Sequence, residues 1–231
     1  MKDGLIHVCF VLDESGSMMS SESDVKGGFK KVIEEQKNMT KGGCIISLFK
    51  FGSTVNEIYL GKDVNEIDEN NLDYSPSGMT AMNDGIGTAI DSVGKWLASK
   101  NEEDRPEKNM IVIMTDGAEN FSKEYTLDQV REKIKHQTEK YDWSFVYMGT
   151  DVSDPTYANN LTYGLKNCTS IFNTRDNHDA YYDVVLNAAS TWRSMEGAAY
   201  TVKATSLSVD LDGAADSITS HYETVTGNKV R

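Results

Sequence analysis

Residues 11–20 read VLDESGSMMS, and the reading of the whole chain turns on them. An apolar run stops at an acid, Asp13, and hydroxyls follow at every second position, Ser15 and Ser17. The run before them, LIHVCFVL at 5–12, is almost continuously apolar and carries β-branched and aromatic residues. That pattern predicts a strand buried on both faces, as found in mostly parallel sheets covered by helices on each side.

The chain on either side supports such a sheet. Val25, Phe29, Val32 and Ile33 recur at helical spacing within 25–36. CIISLFKF (44–51) is a second strand; Gly52-Ser53 breaks it, and TVNEIYL (54–60) alternates, so 44–60 reads as a hairpin with one antiparallel edge strand. Residues 61–80 are polar and loop-like. A helix over 81–98 follows, with Met82, Ile86, Ala89, Ile90, Val93 and Leu97 on one stripe. NMIVIMT (109–115), WSFVYMG (143–149) and CTSIFN (168–173) are further strands. Between them lie a helix marked by Leu127, Val130 and Ile134, with Thr126 or its neighbour as its cap, and a short helix over 154–163. Tyr181, Val184, Val185, Ala188, Ala189, Trp192 and Met195 mark a last helix, opened by Asp176. Strands alternating with helices predict a doubly wound α/β fold with a mostly parallel sheet. The periodicity fades near residue 200. The expected organisation is one domain over 1–199 and a polar extension over 200–231, either a tail, a segment that orders on a partner, or a pair of weak strands.

Composition bounds the function. The net charge of −13 and the pI of about 4.7 argue against nucleic acid and against anionic membranes as partners. No apolar stretch approaches the ~20 residues of a membrane span. Cys9, Cys44 and Cys168 each sit in a strand-like run, which reads as buried free thiols in a reducing compartment. With no secretory signal at the start of the sequence, the expected location is cytoplasmic.

In an open sheet of this kind, ligands bind beyond the carboxyl ends of the strands. The first strand delivers Asp13, Ser15 and Ser17 there; SPSGMTAMNDGI (75–86) brings Thr80 to a helix entrance; the strand at 109–115 delivers Asp116. Two carboxylates and several hydroxyls, with no Cys or His, suit Mg²⁺ or Mn²⁺ better than zinc. Gly16 relaxes the backbone between the two serines. Hydroxyls are neutral, so two carboxylates roughly balance the ion and leave it electrophilic. Thr80 also reads as an N-cap. Glu14 and Glu119 read as solvated rim acids, and Asp84 as a first-turn acid able to brace the site. His7 reads as a satisfied core histidine, His178 as helix-start chemistry, and Trp143, Tyr147 and Trp192 as core.

The set Asp13-x-Ser15-x-Ser17, Thr80 and Asp116 resembles the metal-ion-dependent adhesion site of von Willebrand factor A domains, and the likeness covers roughly residues 5–195. All five positions match, so the resemblance implies an intact site for Mg²⁺ or Mn²⁺. Ser15, Ser17 and Thr80 would ligate directly, and Asp13 and Asp116 directly or through water. It also implies a non-enzymatic protein–protein interaction module whose partner completes the coordination with an Asp or Glu carboxylate. The setting is closer to the small intracellular A domains of bacteria and their phages. Two other readings stay open: a metal-dependent phosphoryl hydrolase, and an assembly protein whose metal only stiffens the rim. A P-loop is absent from the sequence. Replacing Asp13 or Ser15 by Ala is expected to cost little stability, as for surface residues.

Overall fold

In the computed structural model, β1 (Lys2–Asp13) is buried at every position from Gly4 to Asp13, as its apolar run requires. The structure describes residues 1–150 and 155–173, together with 182, 183, 185–187, 189 and 190. The other strands are β2 (Gly43–Phe51), β3 (Val55–Asp63), β4 (Pro106–Thr115), β5 (Ser144–Thr150) and β6 (Cys168–Asn173), in the sheet order β3-β2-β1-β4-β5-β6. All neighbours are parallel except β2 and β3, so β3 is the predicted antiparallel edge strand. The fold is α/β and doubly wound. The chain winds outward from β1 through β2 and β3, then crosses back to β4 and winds the other way. The order therefore reverses between β1 and β4, where Leu12 pairs with Met114. A crevice opens at such a reversal, and it is there that ligands bind.

Side chains of a strand alternate between faces, and β1 feeds two cores. Ile6, Val8, Phe10 and Leu12 pack with Val25, Phe29, Val32 and Ile33 of α1 (Glu22–Asn38). Cys9 and Val11 pack with α2 (Met82–Ala98) through Met82, Ile86 and Ile90, and with α3 (Leu127–Tyr141) through Val130 and Ile134. Burying each such side chain stabilises by about 1.5–3 kcal/mol, which makes the strand–helix layers the main source of stability. Thr126 caps α3 in a reciprocal pair with Gln129, as the sequence predicts. The short helix is α4 (Pro155–Thr162). Residues 182, 183, 185–187, 189 and 190 are helical, and Tyr182, Val185, Leu186 and Ala189 join the α1 side of the core. The rest of the helix expected over 181–195, with Asp176, His178, Trp192 and the extension 200–231, lies outside the described residues.

The segment 61–80 is more structured than its polarity suggests. β3 runs on to Asp63, a 3₁₀ turn spans Val64–Glu66, and Val64, Ile67 and Tyr74 are buried. Isolated apolar residues in a polar stretch carry no period, so their burial is a tertiary effect. His7 is fully buried between Asn109 Oδ1 (3.2 Å) and Ser47 Oγ (2.8 Å), and desolvation lowers its pKa to about 4. Trp143 and Tyr147 are core residues. Cys9 and Cys44 are buried free thiols, but Cys168 is only half-buried because it opens an edge strand. Among the described residues no helix is long and apolar enough to cross a membrane.

Candidate metal centre

Asp13 ends β1 with no exposed surface. The backbone N–H of Ser15 donates to its Oδ1 at 2.7 Å, and the Thr115 hydroxyl donates to its Oδ2 at 2.6 Å. The Tyr74 hydroxyl donates to its backbone carbonyl. Burial pushes the Asp13 carboxyl up to about 6; the hydrogen bonds from Ser15 and Thr115 oppose this, and the neighbouring charge of Asp116 adds to it. The premise that Asp13 and Ser15 are surface positions is therefore corrected. Alanine would strand a buried N–H and a hydroxyl, at about 1–3 kcal/mol. Asparagine, which keeps an acceptor, is the cleaner probe.

The other predicted residues gather around Asp13. Ser15 is buried, Ser17 is exposed, and their hydroxyls lie 3.1 Å apart. Asp116 and Thr80 are both buried. Gly117 shows how closely these groups converge. A Cβ there would stand 3.2 Å from Ser17 Oγ, 3.3 Å from Thr80 Oγ1 and 3.4 Å from Asp13 Oδ2. Two loops thus direct oxygens at one small space, beside Gly117 of the third, that a side chain on residue 117 would fill. A donor set of hydroxyls and carboxylates fits a hard divalent cation. Among the described residues, no three His, Cys, Asp or Glu side chains group to hold a metal; the hydroxyls make up the cradle.

Thr80 is held by distant residues and does not itself cap α2. The N-cap position is Ala81, with no side-chain cap. Asn120 Oδ1 accepts from Thr80 N at 3.0 Å, and the N–H groups of Asn120 and Phe121 donate to Thr80 O at 3.1 and 3.2 Å. The open N–H groups of α2 are satisfied across space: Asn83 N by Glu119 Oε2 (2.8 Å) and Asp84 N by Ser122 Oγ (3.1 Å). Asp84 in turn accepts from the backbone N–H groups of Lys123, Glu124 and Tyr125, so it braces the 117–126 loop. Glu119 also accepts from Phe121 N, Ser122 N and Ser122 Oγ. It is thus a loop organiser, and its reading as a solvated acid is corrected. Glu119→Ala is expected to destabilise by about 2 kcal/mol, the upper range for losing a helix cap. Urea denaturation checks this; a loss under ~0.5 kcal/mol, ordinary for a surface change, would mean the loop holds without it.

Glu14 is likewise no solvated acid, because Lys50 Nζ donates to its Oε1 at 2.8 Å. Tyr74, Lys50 and Asn120 are the residues around the site that sequence reasoning missed; it placed Thr115 on the rim beside Asp116 but gave it no role. Lys50 alone left a trace, as a lone charge in the apolar strand CIISLFKF.

The profile of the von Willebrand factor type A domain family matches residues 7–179. No curated protein matched the chain. Among solved structures, the chain is similar to the vWF domain of the type V pili tip protein Mfa5 from Porphyromonas gingivalis. That likeness has a TM-score of 0.63 and 11% identity over 85% of this chain and 98% of that one. It is similar to the pilus adhesin SpaC from Lactobacillus rhamnosus GG in its open conformation, with a TM-score of 0.61, 15% identity and 84% of this chain covered. It is also similar to proximal thread matrix protein 1 from the mussel byssus with a zinc-occupied MIDAS motif, with a TM-score of 0.55, 15% identity and 82% of this chain covered. The chain spans 30% of the SpaC chain and 47% of the mussel protein. At these identities the likenesses show the fold.

Proposed function

From the premise that the chain belongs to the von Willebrand factor type A domain family, we propose that it is a non-enzymatic module that captures an acidic protein partner through a divalent metal at the β1/β4 crevice. The observation that carries this reading is the convergence of Asp13, Ser17 and Thr80 oxygens on the space beside Gly117. Asp13, Ser15, Ser17, Thr80 and Asp116 would hold Mg²⁺ or Mn²⁺. Such an ion, balanced by two carboxylates and otherwise by neutral hydroxyls, would supply a Lewis-acidic position for an Asp or Glu side chain of the partner. The protein's own part is orientation. Thr115 and the Ser15 N–H fix the Asp13 carboxylate, and Asn120 fixes Thr80, so the cradle is formed before an ion arrives. The same reading takes residues 1–199 as the binding domain and 200–231 as its extension. It takes the protein as a cytoplasmic member of the bacterial or phage type, in keeping with three free cysteines.

The test is capture of host-lysate proteins on the immobilised chain with Mg²⁺, Mn²⁺, Zn²⁺ or EDTA, with bound proteins read by mass spectrometry. A partner held with Mg²⁺ or Mn²⁺, lost in EDTA and displaced by excess free glutamate is the expected result. Equal retention under every condition would remove the metal bridge, and retention with Zn²⁺ alone would overturn the choice of ion.

A further inference from the structure

The rim carries a third carboxylate that the metal reading leaves unused. Glu14 sits in the chain between Asp13 and Ser15, yet its side chain is turned onto Lys50. Lys50 Nζ donates to Glu14 Oε1 at 2.8 Å and to the Asp73 carbonyl at 2.7 Å. The Ser75 N–H donates to the same Glu14 oxygen at 2.7 Å. The pair is largely shielded from water, with Lys50 6% and Glu14 16% exposed at the side chain. It is also well anchored: Lys50 stands beside Leu12 in the β1/β2 ladder, and Glu14 N donates to Phe51 O. A buried lysine at the end of an apolar strand is costly to desolvate and persists only when paired.

Charge counting suggests what this pair does. Asp13 and Asp116 together balance a divalent cation. An uncompensated third carboxylate one residue away would leave the loaded site net negative. It would tighten the cation and repel any acidic ligand, because charges partly shielded from water act on one another more strongly than in bulk solvent. We propose that Lys50 is a specificity-determining residue of the site: by cancelling and restraining Glu14, it keeps the bound cation positive enough to accept a carboxylate. The inference rests on the metal reading above. It assigns opposite signs to two affinities, which a loosened loop would not produce.

The experiment measures Mn²⁺ binding by electron paramagnetic resonance, and acetate binding to the Mn²⁺-loaded protein by water-proton relaxation. Lys50→Met is expected to bind Mn²⁺ about tenfold more tightly and acetate about tenfold more weakly. Glu14→Gln, which keeps an acceptor for Lys50 and for Ser75 N and so guards against misfolding of the first variant, is expected to shift both affinities the opposite way. The double variant should return both to wild-type values. Unchanged affinities, or both falling together in either single variant, would overturn the role of Lys50 while leaving the metal site standing. A wild-type protein that binds no Mn²⁺ would overturn the metal reading, and this inference with it.

Discussion

Asp13→Asn is expected to weaken Mg²⁺ binding on the order of a hundredfold or more while leaving the protein folded. On the proposed ligand set the substitution would remove one of the two carboxylate charges, at a residue with no exposed surface and so little water to screen the loss. It keeps an oxygen for the Ser15 N–H, and the amide and the Thr115 hydroxyl can still pair. Isothermal titration calorimetry checks the affinity; wild-type affinity in the variant would sink the assignment of Asp13.

The same variant makes a prediction about pH in EDTA. The folded-state pKa of Asp13 is raised from 3.8 to about 6, chiefly by burial. A raised carboxyl pKa favours the native state below the unfolded value, and that advantage is lost as pH rises through the folded value. Ionising Asp13 in the metal-free protein therefore costs about 3 kcal/mol by neutral pH, at 1.36 kcal/mol per unit. Asparagine carries no such cost. The stability of Asp13→Asn relative to wild type should thus climb between pH 4 and pH 6 and level off near 7. His7, with its pKa lowered to about 4, has the opposite slope over pH 4–6.5. It is common to both proteins and cancels in the comparison. Saturating Mg²⁺ should restore wild type alone. A stability difference that stays flat across this range would mean that Asp13 is not strained by its burial.

Two adjacent glycines in α1 should respond in opposite directions to the same change. Gly27 faces open space, with no atom near the position of an added Cβ. Gly27→Ala should stabilise by up to about 1 kcal/mol, the helix-propensity difference. At Gly28 an added Cβ would overlap the ring of Tyr182. That ring is buried, and its hydroxyl is held by Val25 O (3.2 Å) and Met114 Sδ (3.3 Å), so it cannot swing aside cheaply. Overpacking costs about 1–3 kcal/mol, occasionally more, which outweighs the propensity gain. Gly28→Ala should therefore destabilise by about 2 kcal/mol net. Chemical denaturation of both variants tests the pair, and a stabilising Gly28→Ala would show that Tyr182 does not pack there.

Opposite outcomes at neighbouring glycines illustrate what a sequence can and cannot carry. Helical spacing put Phe29, Val32 and Ile33 on one face, because that pattern repeats every few residues and needs no distant partner. It says nothing of which glycine meets an aromatic ring more than 150 positions along the chain. The same division runs through the rim. Thr126 as a cap was legible because its partner, Gln129, is three residues away. Thr80 as a cap was misread because α2 is capped by Glu119 and Ser122, which no local pattern links to it.

The sequence by itself determined the α/β alternation, the antiparallel edge strand and the candidate residues Asp13, Ser15, Ser17, Thr80 and Asp116. Each is a local matter of hydrophobic period or of donor chemistry at the end of a strand. Only the tertiary structure decided that β1 lies beside β4, that Asp13 is fully buried, and that Lys50 neutralises Glu14. Burial and pairing are set by residues tens of positions away, and a buried charge is tolerable only where such a partner meets it.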